Sequence, residues 1–496
     1  MRWPVKRVLV IVSVLVLLFV VGLFVTHHRH ETTPMVATSA APLAAASAAP
    51  TDLAGGVPTA FSHPGANVIV IAIDTLRADS TTMCGYRRDT TPNLERFAQH
   101  SYLFRKAWSV APWTVPSFMS IFTGLFPSHH GVTNKFTAVG PNKLVATTLS
   151  PTILTLPQIL HRHGYVLAGF TGDAGVSGSF GFSRGFSVYR DDLHFGAMNH
   201  SIPLALAWLK HRPTGKPFFL FVHGYDVHGM FTPPHGYTRR FVHDYHGKLT
   251  GSPAEDAKFR EASLYAGLQP GWLGHPHVVG MTAADGRFYK ALYDEKIYDC
   301  DKRIHRFLVK LKKMGLYDNS IIVMVSDHGD EFLDHGSIDH GQSLYDELVH
   351  VLLMIHLPGQ VQGQAFDDPV NSFDALPTVL DCLGIPIHHH IDAVSLRPLM
   401  TGGKMPQKYW FSETDYRFFV HKRSVRDKRY KLILDMTTMQ RELYDTIADP
   451  HEKHNLINEK PKVAMRLEKV LEAWLHSLGT PLDEYRGVHQ KPITVF

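Results

Sequence analysis

Thr114 is the residue of this chain best placed by its neighbours to act as a nucleophile. This hydroxyl residue lies two positions before Pro116, in a short apolar run that ends at Gly124. Proline fits the first turn of a helix, so the run predicts a helix with Thr114 at its N-terminus. Free N–H groups and the helix dipole attract an anion to such a position. A hydroxyl there can also be an N-cap, and from this stretch alone capping is the commoner role.

Two other apolar runs end in side chains that can bind a metal ion. One begins at Asn67 and ends in Asp74, and the other begins at Ile321 and ends in Asp327-His328. Continuous β-branched runs predict buried parallel strands, and ligands bind at the carboxyl edge of such sheets. Strand-end Asp residues also cap turns, which is the alternative interpretation. Carboxylate, imidazole and a deprotonated hydroxyl together suit a divalent cation. The predicted metal ligands are Asp74, Thr114, Asp327 and His328.

The nucleophile segment and the residues that follow it resemble a known family. With Gly124-Leu125-Phe126-Pro127-Ser128-His129-His130-Gly131-Val132 behind it, the segment is similar to that of the sulfatase family in the alkaline phosphatase superfamily. The resemblance extends from about residue 67 to about residue 456 and rests on several motifs in the family's order. It implies an α/β fold with an alkaline-phosphatase-like, doubly wound, mostly parallel central sheet and helices on both faces. A small C-terminal antiparallel sheet with a packed helix is also implied.

The sequence departs from the family at the nucleophile. The family's segment is Cys or Ser, any residue, Pro, Ser, Arg, and its first residue is oxidised to formylglycine. Here Thr114 and Phe118 take the first and last of these places. Oxidation of threonine at Cβ would give a ketone, so we expect no formylglycine and predict that Thr114 acts unmodified.

A threonine nucleophile favours phosphodiester hydrolysis or phosphoryl transfer, because a phospho-threonine can be hydrolysed at the same metal. Two alternatives stay open. The first alternative to this function is an arylsulfatase-like sulfuric ester hydrolase. The second is a catalytically inactive sulfatase-like binding protein that has lost the formylglycine position and the Lys-His sulfate contacts. The predicted substrate is accordingly a sulfate or phosphate ester.

The predicted ligands also depart from the family pattern. Sulfatases that this chain resembles carry Asp-Asp and Asp-Asn pairs that bind calcium, whereas here the pairs are Asp74-Thr75 and Asp327-His328. Histidine is a poor ligand for calcium and a good one for manganese or zinc. We therefore predict one divalent metal ion, with manganese or zinc favoured and calcium as the alternative.

The resemblance implies three substrate-side histidines, and Arg77, after the first strand, is a further candidate. His228 takes the place of a family histidine that donates a proton to the leaving group or binds the anion, although a histidine packed at a strand end explains it equally well. His335 and His340 lie in the loop where the family has a histidine and a cation, and His340 would supply charge when protonated. Arg77 binds the oxyanion or pairs with Asp79, and pairing is favoured. The predicted catalytic residues are Thr114, His228 and His340, and the predicted substrate-binding residues are Arg77, His228, His335 and His340.

The chain begins with a candidate membrane anchor. Residues 8–25 form an uninterrupted apolar run that follows Arg2, Lys6 and Arg7. Its length and flanking charges favour a signal anchor over a cleaved signal peptide. This predicts a single-pass membrane protein whose catalytic domain is extracytoplasmic, either periplasmic or extracellular. The predicted division is 1–7 cytoplasmic, 8–25 transmembrane, 26–64 a flexible Ala/Pro/Ser/Thr stalk, 65–404 the catalytic domain and 405–496 a C-terminal subdomain.

The composition of the chain narrows the classes of function and partner that remain possible. The net charge of +5 is not concentrated in long basic runs, so nucleic acid is not an expected partner. The 33 histidines are unusual and fit a chain that handles metal or works in a compartment of variable pH. Residues 229–287 show no clear periodicity and predict a long surface insertion near the mouth of the site.

Overall fold

The structure is a computed structural model that describes residues 61–140, 143–229, 231, 240–267, 281–417 and 420–479. The strands are β1 (Asn67–Ile73), β2 (Tyr102–Phe104), β3 (Ala107–Trp108), β4 (Phe136–Gly140), β5 (Lys143–Ala146), β6 (Val166–Phe170), β7 (Val188–Arg190), β8 (Phe218–Gly224), β9 (Ser320–Ser326), β10 (Glu331–Phe332), β11 (Ile338–Asp339), β12 (His350–Val351), β13 (Leu353–His356), β14 (Gln364–Phe366), β15 (Val370–Asn371), β16 (Trp410–Tyr416), β17 (Val420–Arg426), β18 (Tyr430–Asp435) and β19 (Arg441–Asp445). The α-helices are α1 (Pro92–Ala98), α2 (Thr114–Thr123), α3 (Pro127–His130), α4 (Leu156–Arg162), α5 (Met198–His211), α6 (Pro253–Gly267), α7 (Ala283–Lys313), α8 (Asp346–Val349), α9 (Ala375–Leu383), α10 (Arg397–Met400) and α11 (Pro461–Ser477).

An eight-stranded sheet in the order β14-β2-β13-β9-β1-β8-β6-β7 forms the centre of the larger compact unit. β1 pairs in parallel with both β8 and β9, and β6 pairs in parallel with β7 and β8. β13 runs antiparallel to its neighbours β9 and β2. The apolar runs of β1, β8 and β9 are buried along their whole length, which is typical of central strands covered on both faces.

The two faces of this sheet pack into separate apolar clusters. In β1 the side chains of Val68 and Val70 belong to one cluster, while those of Ile69 and Ile71 belong to the other, because successive residues of a strand point to opposite faces. α2 and α9 pack into the first cluster, and α5 and α7 pack into the second. Helices therefore cover both faces, as the sequence predicts.

The C-terminal part forms a second, antiparallel sheet in the order β16-β17-β18-β19. α11 packs on it through Leu467 and Leu471, and the indole of Trp474 stacks on the ring of Phe411 with 4.6 Å between centroids. The predicted fold class is confirmed: a mostly parallel α/β sheet with helices on both faces, followed by a small antiparallel sheet and helix. The proposed boundary between residues 404 and 405 stays a prediction.

A smaller compact unit contains Lys135–Thr147 among the described residues. It is the antiparallel hairpin of β4 and β5, closed by a hydrogen bond of 2.7 Å between the hydroxyls of Thr137 and Thr147.

The predicted single-pass membrane localisation is corrected by the structure. Within residues 61–479, as far as they are described, no helix combines the length and the apolar character needed to cross a bilayer. The predicted anchor at residues 8–25 and most of the predicted stalk lie outside the described residues.

Candidate active site

Strand register brings the two predicted carboxylates to one edge of the central sheet. Ile73 of β1 is paired with Ser326 of β9, so Asp74 and Asp327 lie side by side directly after the carboxyl ends of these two strands. Both carboxylates are fully buried, as is the imidazole of His328. Ligand atoms of these three residues lie within 4.8 Å of one another.

The hydrogen bonds of His328 show which of its nitrogens faces the carboxylates. Its Nδ1 lies 2.8 Å from the carbonyl oxygen of Gly329, which can only accept, so Nδ1 carries the proton. Nε2 therefore presents a lone pair, 3.3 Å from Asp327 Oδ2 and 3.9 Å from Asp74 Oδ1. Burial lowers the pKa of His328 well below its usual value, and the nearby positive charge of His340 adds to this effect.

This group of side chains fits a divalent cation. Burial and then the charge of Asp74 raise the pKa of Asp327 well above the ordinary range, because burial disfavours the charged form and a second carboxylate lies close by. Asp327 Oδ2 accepts no hydrogen bond from the described part of the chain. Two carboxylates and a neutral imidazole whose other nitrogen is held by a carbonyl form the usual environment of a manganese or zinc ion.

Thr114 is the first residue of α2, and its hydroxyl faces the same cluster. Oγ1 lies 3.2 Å from His328 Nε2. The N-cap of α2 is Trp113, so Thr114 does not take the capping role that the sequence also allowed. Gly175 packs against it so closely that a Cβ there would lie 2.6 Å from Thr114 Cγ2. Thr114 is 5% exposed.

Thr75, where the family pattern has a second Asp, contributes its backbone instead of a carboxylate. Its φ of 57° lies in the left-handed region, which is rare for a β-branched residue. This conformation points its N–H at Asp327 Oδ1, 3.1 Å away. The hydroxyl of Tyr293 donates to the Thr75 carbonyl oxygen at 2.7 Å and holds the turn in place. The strained turn therefore fixes the position of the Asp327 carboxylate.

His223 is a site residue that the sequence analysis missed. It is fully buried near the end of β8, and its Nε2 lies 3.2 Å from Asp74 Oδ2. The N–H of Gly172 donates to Nδ1 at 3.4 Å, so Nε2 carries the proton and donates to Asp74. Burial lowers the pKa of His223 to about 3, so this imidazole is neutral. The register pairing of His223 with Ala72, two residues before Asp74, is the signal that identifies it.

His340 is held as a cation between the predicted metal ligand His328 and the predicted substrate-side His228. Ring centroids lie 4.4 Å apart for His340 and His328, and 5.1 Å apart for His340 and His228. His340 Nδ1 contacts Asp339 Oδ1 at 2.9 Å and Asp330 Oδ1 at 3.2 Å. Burial favours the neutral ring, but these two carboxylates outweigh burial and raise the pKa of His340 to about 10.

His228 has the opposite electrostatic environment. Burial, followed by the charges of Arg260 and His340, lowers its pKa well below the ordinary value. Its ring packs against those of Phe195 and Tyr225, with centroids 5.1 and 5.2 Å away. The free enzyme therefore holds His228 as a neutral imidazole beside a cationic one, so binding of an anion is the event that would favour its protonation.

Arg260 is a second residue that the sequence analysis missed. It lies on α6, inside the predicted insertion 229–287, and pairs with Asp256 at 2.9 Å and Asp339 at 3.2 Å. Its Nη2 is buried and has no hydrogen-bond partner among the described residues. A side chain at Gly229 would collide with this guanidinium. The missed signal is Ser252-Pro253-Ala254-Glu255, a capping-box pattern with proline at the first helical position.

The two other predicted substrate-binding residues have their polar atoms engaged elsewhere. Arg77 is 3% exposed and its guanidinium pairs with Asp79 at 2.7 Å and Asp334 at 2.8 Å. His335 Nδ1 pairs with Glu347, and its Nε2 lies 2.9 Å from the carbonyl oxygen of Glu452. His335 also stacks on the ring of Tyr345. The His335 contacts connect the loop after β9 to the C-terminal part of the chain, and the Arg77 contacts connect the segment after β1 to that loop.

Comparison with known proteins identifies the family. A family model described as Sulfatase matches residues 66–385, and one described as N-sulphoglucosamine sulphohydrolase, C-terminal, matches residues 334–478. An arylsulfatase of Clostridium perfringens is 25% identical over 456 residues, covering 79% of this chain and 90% of the relative. The multifunctional alkaline phosphatase superfamily protein PehA of Trinickia caryophylli is 26% identical over 517 residues, which cover 86% of this chain and 98% of the relative. The fold is similar to the crystal structure of a phosphonate monoester hydrolase of Agrobacterium radiobacter, with a TM-score of 0.64 and 21% identity. The match covers 85% of this chain and 96% of that structure.

Proposed function

This chain belongs to the sulfatase family of hydrolases, and within that family we propose that it hydrolyses phosphodiesters or transfers phosphoryl groups, with unmodified Thr114 as nucleophile. The observation that supports the proposal is the position of the Thr114 hydroxyl, at the start of α2 and 3.2 Å from His328 Nε2. Free N–H groups at the start of a helix favour a bound anion at the point of attack.

Members of the family are metal-dependent, and we propose that Asp74, Asp327 and His328 hold one divalent cation together with Thr114. Manganese or zinc fits the histidine better than calcium does. When bound, the cation lowers the pKa of the attacking hydroxyl and offsets charge on the ester. His223 donates to Asp74 Oδ2, which orients this carboxylate and fixes its protonation state.

Two further residues supply fixed positive charge toward the substrate. His340 is protonated throughout the neutral pH range because Asp330 and Asp339 hold its proton. Arg260 has one buried N–H group, Nη2, without a partner in the described chain. In this proposal both groups bind the non-reacting oxygens of the ester, and His228 lies beside the leaving group. Thr114 Oγ1 loses its proton and forms a bond to phosphorus, while the bond from phosphorus to the leaving oxygen breaks and that oxygen takes up a proton to depart as the alcohol. Water then adds to phosphorus, the bond to Oγ1 breaks, and Oγ1 regains a proton.

Sulfuric ester hydrolysis is the second candidate function. The Sulfatase family model and the arylsulfatase of Clostridium perfringens favour it. PehA is described as multifunctional within the alkaline phosphatase superfamily, and this breadth fits a site able to accept more than one ester.

A substrate panel tests the proposal. Purified full chain is assayed with bis-p-nitrophenyl phosphate, p-nitrophenyl phosphate and p-nitrophenyl sulfate, each with manganese, zinc or calcium. We expect the diester to have the highest kcat/KM, Thr114→Ala to remove activity and Thr114→Ser to keep a measurable part of it. The intact mass of the peptide that carries Thr114 should be that of unmodified threonine. Faster turnover of the sulfate ester would support the second candidate, and a metal-free, inactive wild type would indicate a binding protein.

A further inference from the structure

A second cluster of metal-ligating side chains lies outside the active site. It consists of His129 at the end of α3, and His390 and Asp392 in the segment after α9. One ligand atom from each residue lies within 4.8 Å of the others. His129 Nδ1 is 2.7 Å from Asp392 Oδ2, and His390 Nε2 is 3.2 Å from Asp392 Oδ1.

The backbone holds Asp392 in a defined position. The N–H groups of Asp392 and Ala393 donate to the carbonyl oxygen of Gly124 at 2.8 and 2.9 Å. The N–H of Phe126 donates to Asp392 Oδ2 at 2.8 Å. One carboxylate oxygen is therefore oriented by the backbone and by His129, and Oδ1 faces His390. A carboxylate fixed in this way is already prepared for a cation, because binding requires little further ordering.

From this arrangement we propose that His129, His390 and Asp392 form a zinc site. Two imidazoles and one carboxylate are a common ligand set for zinc, with water in the fourth position. Ligand atoms of a tetrahedral zinc ion lie about 3.3 Å apart, given bonds of about 2.0–2.1 Å, so small side-chain rotations would bring these atoms into place. The histidine side chains are 28% and 74% exposed, which allows both metal entry and a bound water.

A zinc ion here would join two segments that are far apart in the sequence. His129 follows the C-terminal end of α2, the helix that begins with Thr114. His390 and Asp392 follow α9, more than 260 residues later. The ion would add a cross-link beside the hydrogen bonds around Gly124 and Phe126, and would stabilise the folded state. This site is independent of ester hydrolysis and of the proposed function.

Zinc stoichiometry of the full chain tests the proposal. Protein stripped with a chelator is dialysed against micromolar zinc, and bound zinc is measured by mass spectrometry for wild type and for His129→Ala/His390→Ala. We expect the double variant to hold about one zinc ion per chain fewer, whatever the occupancy of the active site. The matched control is His388→Ala/His389→Ala, which removes two neighbouring histidines and should retain the wild-type stoichiometry.

A second measurement on wild type avoids any dependence on variant folding. Diethyl pyrocarbonate modifies accessible imidazoles, and peptide mass spectrometry reports each site. Zinc should protect His129 and His390 by about tenfold, while His388 remains reactive. Unchanged stoichiometry in the double variant overturns the proposal. The proposal is also overturned if the control variant loses as much zinc as the double variant, or if zinc protects His388 as strongly as it protects His390. Either result would assign zinc binding to the consecutive histidines 388–390 as a whole.

Discussion

The buried pair of His335 and Glu347 makes the stability of this protein depend on pH. Burial alone would lower the pKa of His335, but the charge and hydrogen bond of Glu347 outweigh burial and raise it from 6.5 to about 9. The side chain is 1% exposed, so solvent screens this pair little. A pKa difference of about 2.5 corresponds to about 3 kcal/mol of folding free energy.

The sign follows from the raised pKa. This contribution is complete below pH 6.5, where unfolded histidine is also protonated, and it is lost as the pH rises toward 9. Glu331, beside the pair, changes stability in the same direction: burial and then Glu347 raise its pKa from 4.5 to about 8. Its raised pKa penalises folding progressively as the pH rises from 4.5 to 8. We therefore expect wild-type stability to fall by about 3 kcal/mol or more between pH 6.5 and pH 9.

The test replaces the pair by neutral amides in His335→Gln/Glu347→Gln, so that neither charge is left alone. Urea unfolding followed by tryptophan fluorescence is measured at several pH values between 6 and 9.5 at constant metal concentration. We expect the fall in stability between pH 6.5 and pH 9 to be smaller by about 3 kcal/mol in the double variant, with the part that His340 contributes left in place, while the exposed control His305→Gln keeps the wild-type dependence. The KM of the double variant at pH 6.5 should match that of wild type. A parallel pH dependence in wild type and variant would refute the assigned pair, and a large rise in KM would restore His335 to the substrate site that the sequence predicted.

Three further changes test the active site. Arg260→Gln should lower kcat/KM by about tenfold to a hundredfold, which is the effect of one charge-assisted hydrogen bond. Arg260→Lys should recover part of this loss. Equal kcat/KM values for wild type and Arg260→Gln would exclude contact between Arg260 and the substrate. Gly175→Ala should reduce kcat about a hundredfold by displacing Thr114, with circular dichroism unchanged; full activity would show that the close contact at Thr114 Cγ2 is easily relieved. His223→Gln should weaken metal affinity about tenfold to a hundredfold in equilibrium dialysis, and unchanged affinity would mean that Asp74 needs no support from His223.

The parts of this site that sequence predicts are those fixed by the strands. Asp74 and Asp327 each follow a buried apolar run, and parallel strands place such residues at one edge of the sheet. Their side-by-side position in the structure follows directly from the pairing of Ile73 with Ser326. The start of a helix at Thr114 is equally local, because it depends on Pro116 and on the apolar residues that follow.

The remaining features depend on contacts that are distant in sequence. Arg77 and His335 have residue types that suit an anion site, yet their orientation is decided by Asp334 and Glu347, which only the folded chain brings near. In the sequence, His223 is one more residue of a buried apolar strand. Only the strand register of the folded chain shows that it lies beside Asp74. Arg260 lies on a helix whose apolar residues do not recur at helical spacing, so only its capping residues mark that helix.

Charge alone does not separate the two candidate functions. A phosphodiester and a sulfate monoester both carry one negative charge, so His340, Arg260 and a bound cation would attract either ester equally. The difference lies in the second half of the reaction. Formylglycine releases sulfate from its own geminal diol, whereas Thr114, as the proposed nucleophile, has no second hydroxyl and would rely on water to cleave its ester. In the proposed mechanism, water attack at phosphorus would be assisted by the same positive charges that bind the substrate. A preference for phosphate esters would then come from the threonine side chain and not from the anion-binding residues.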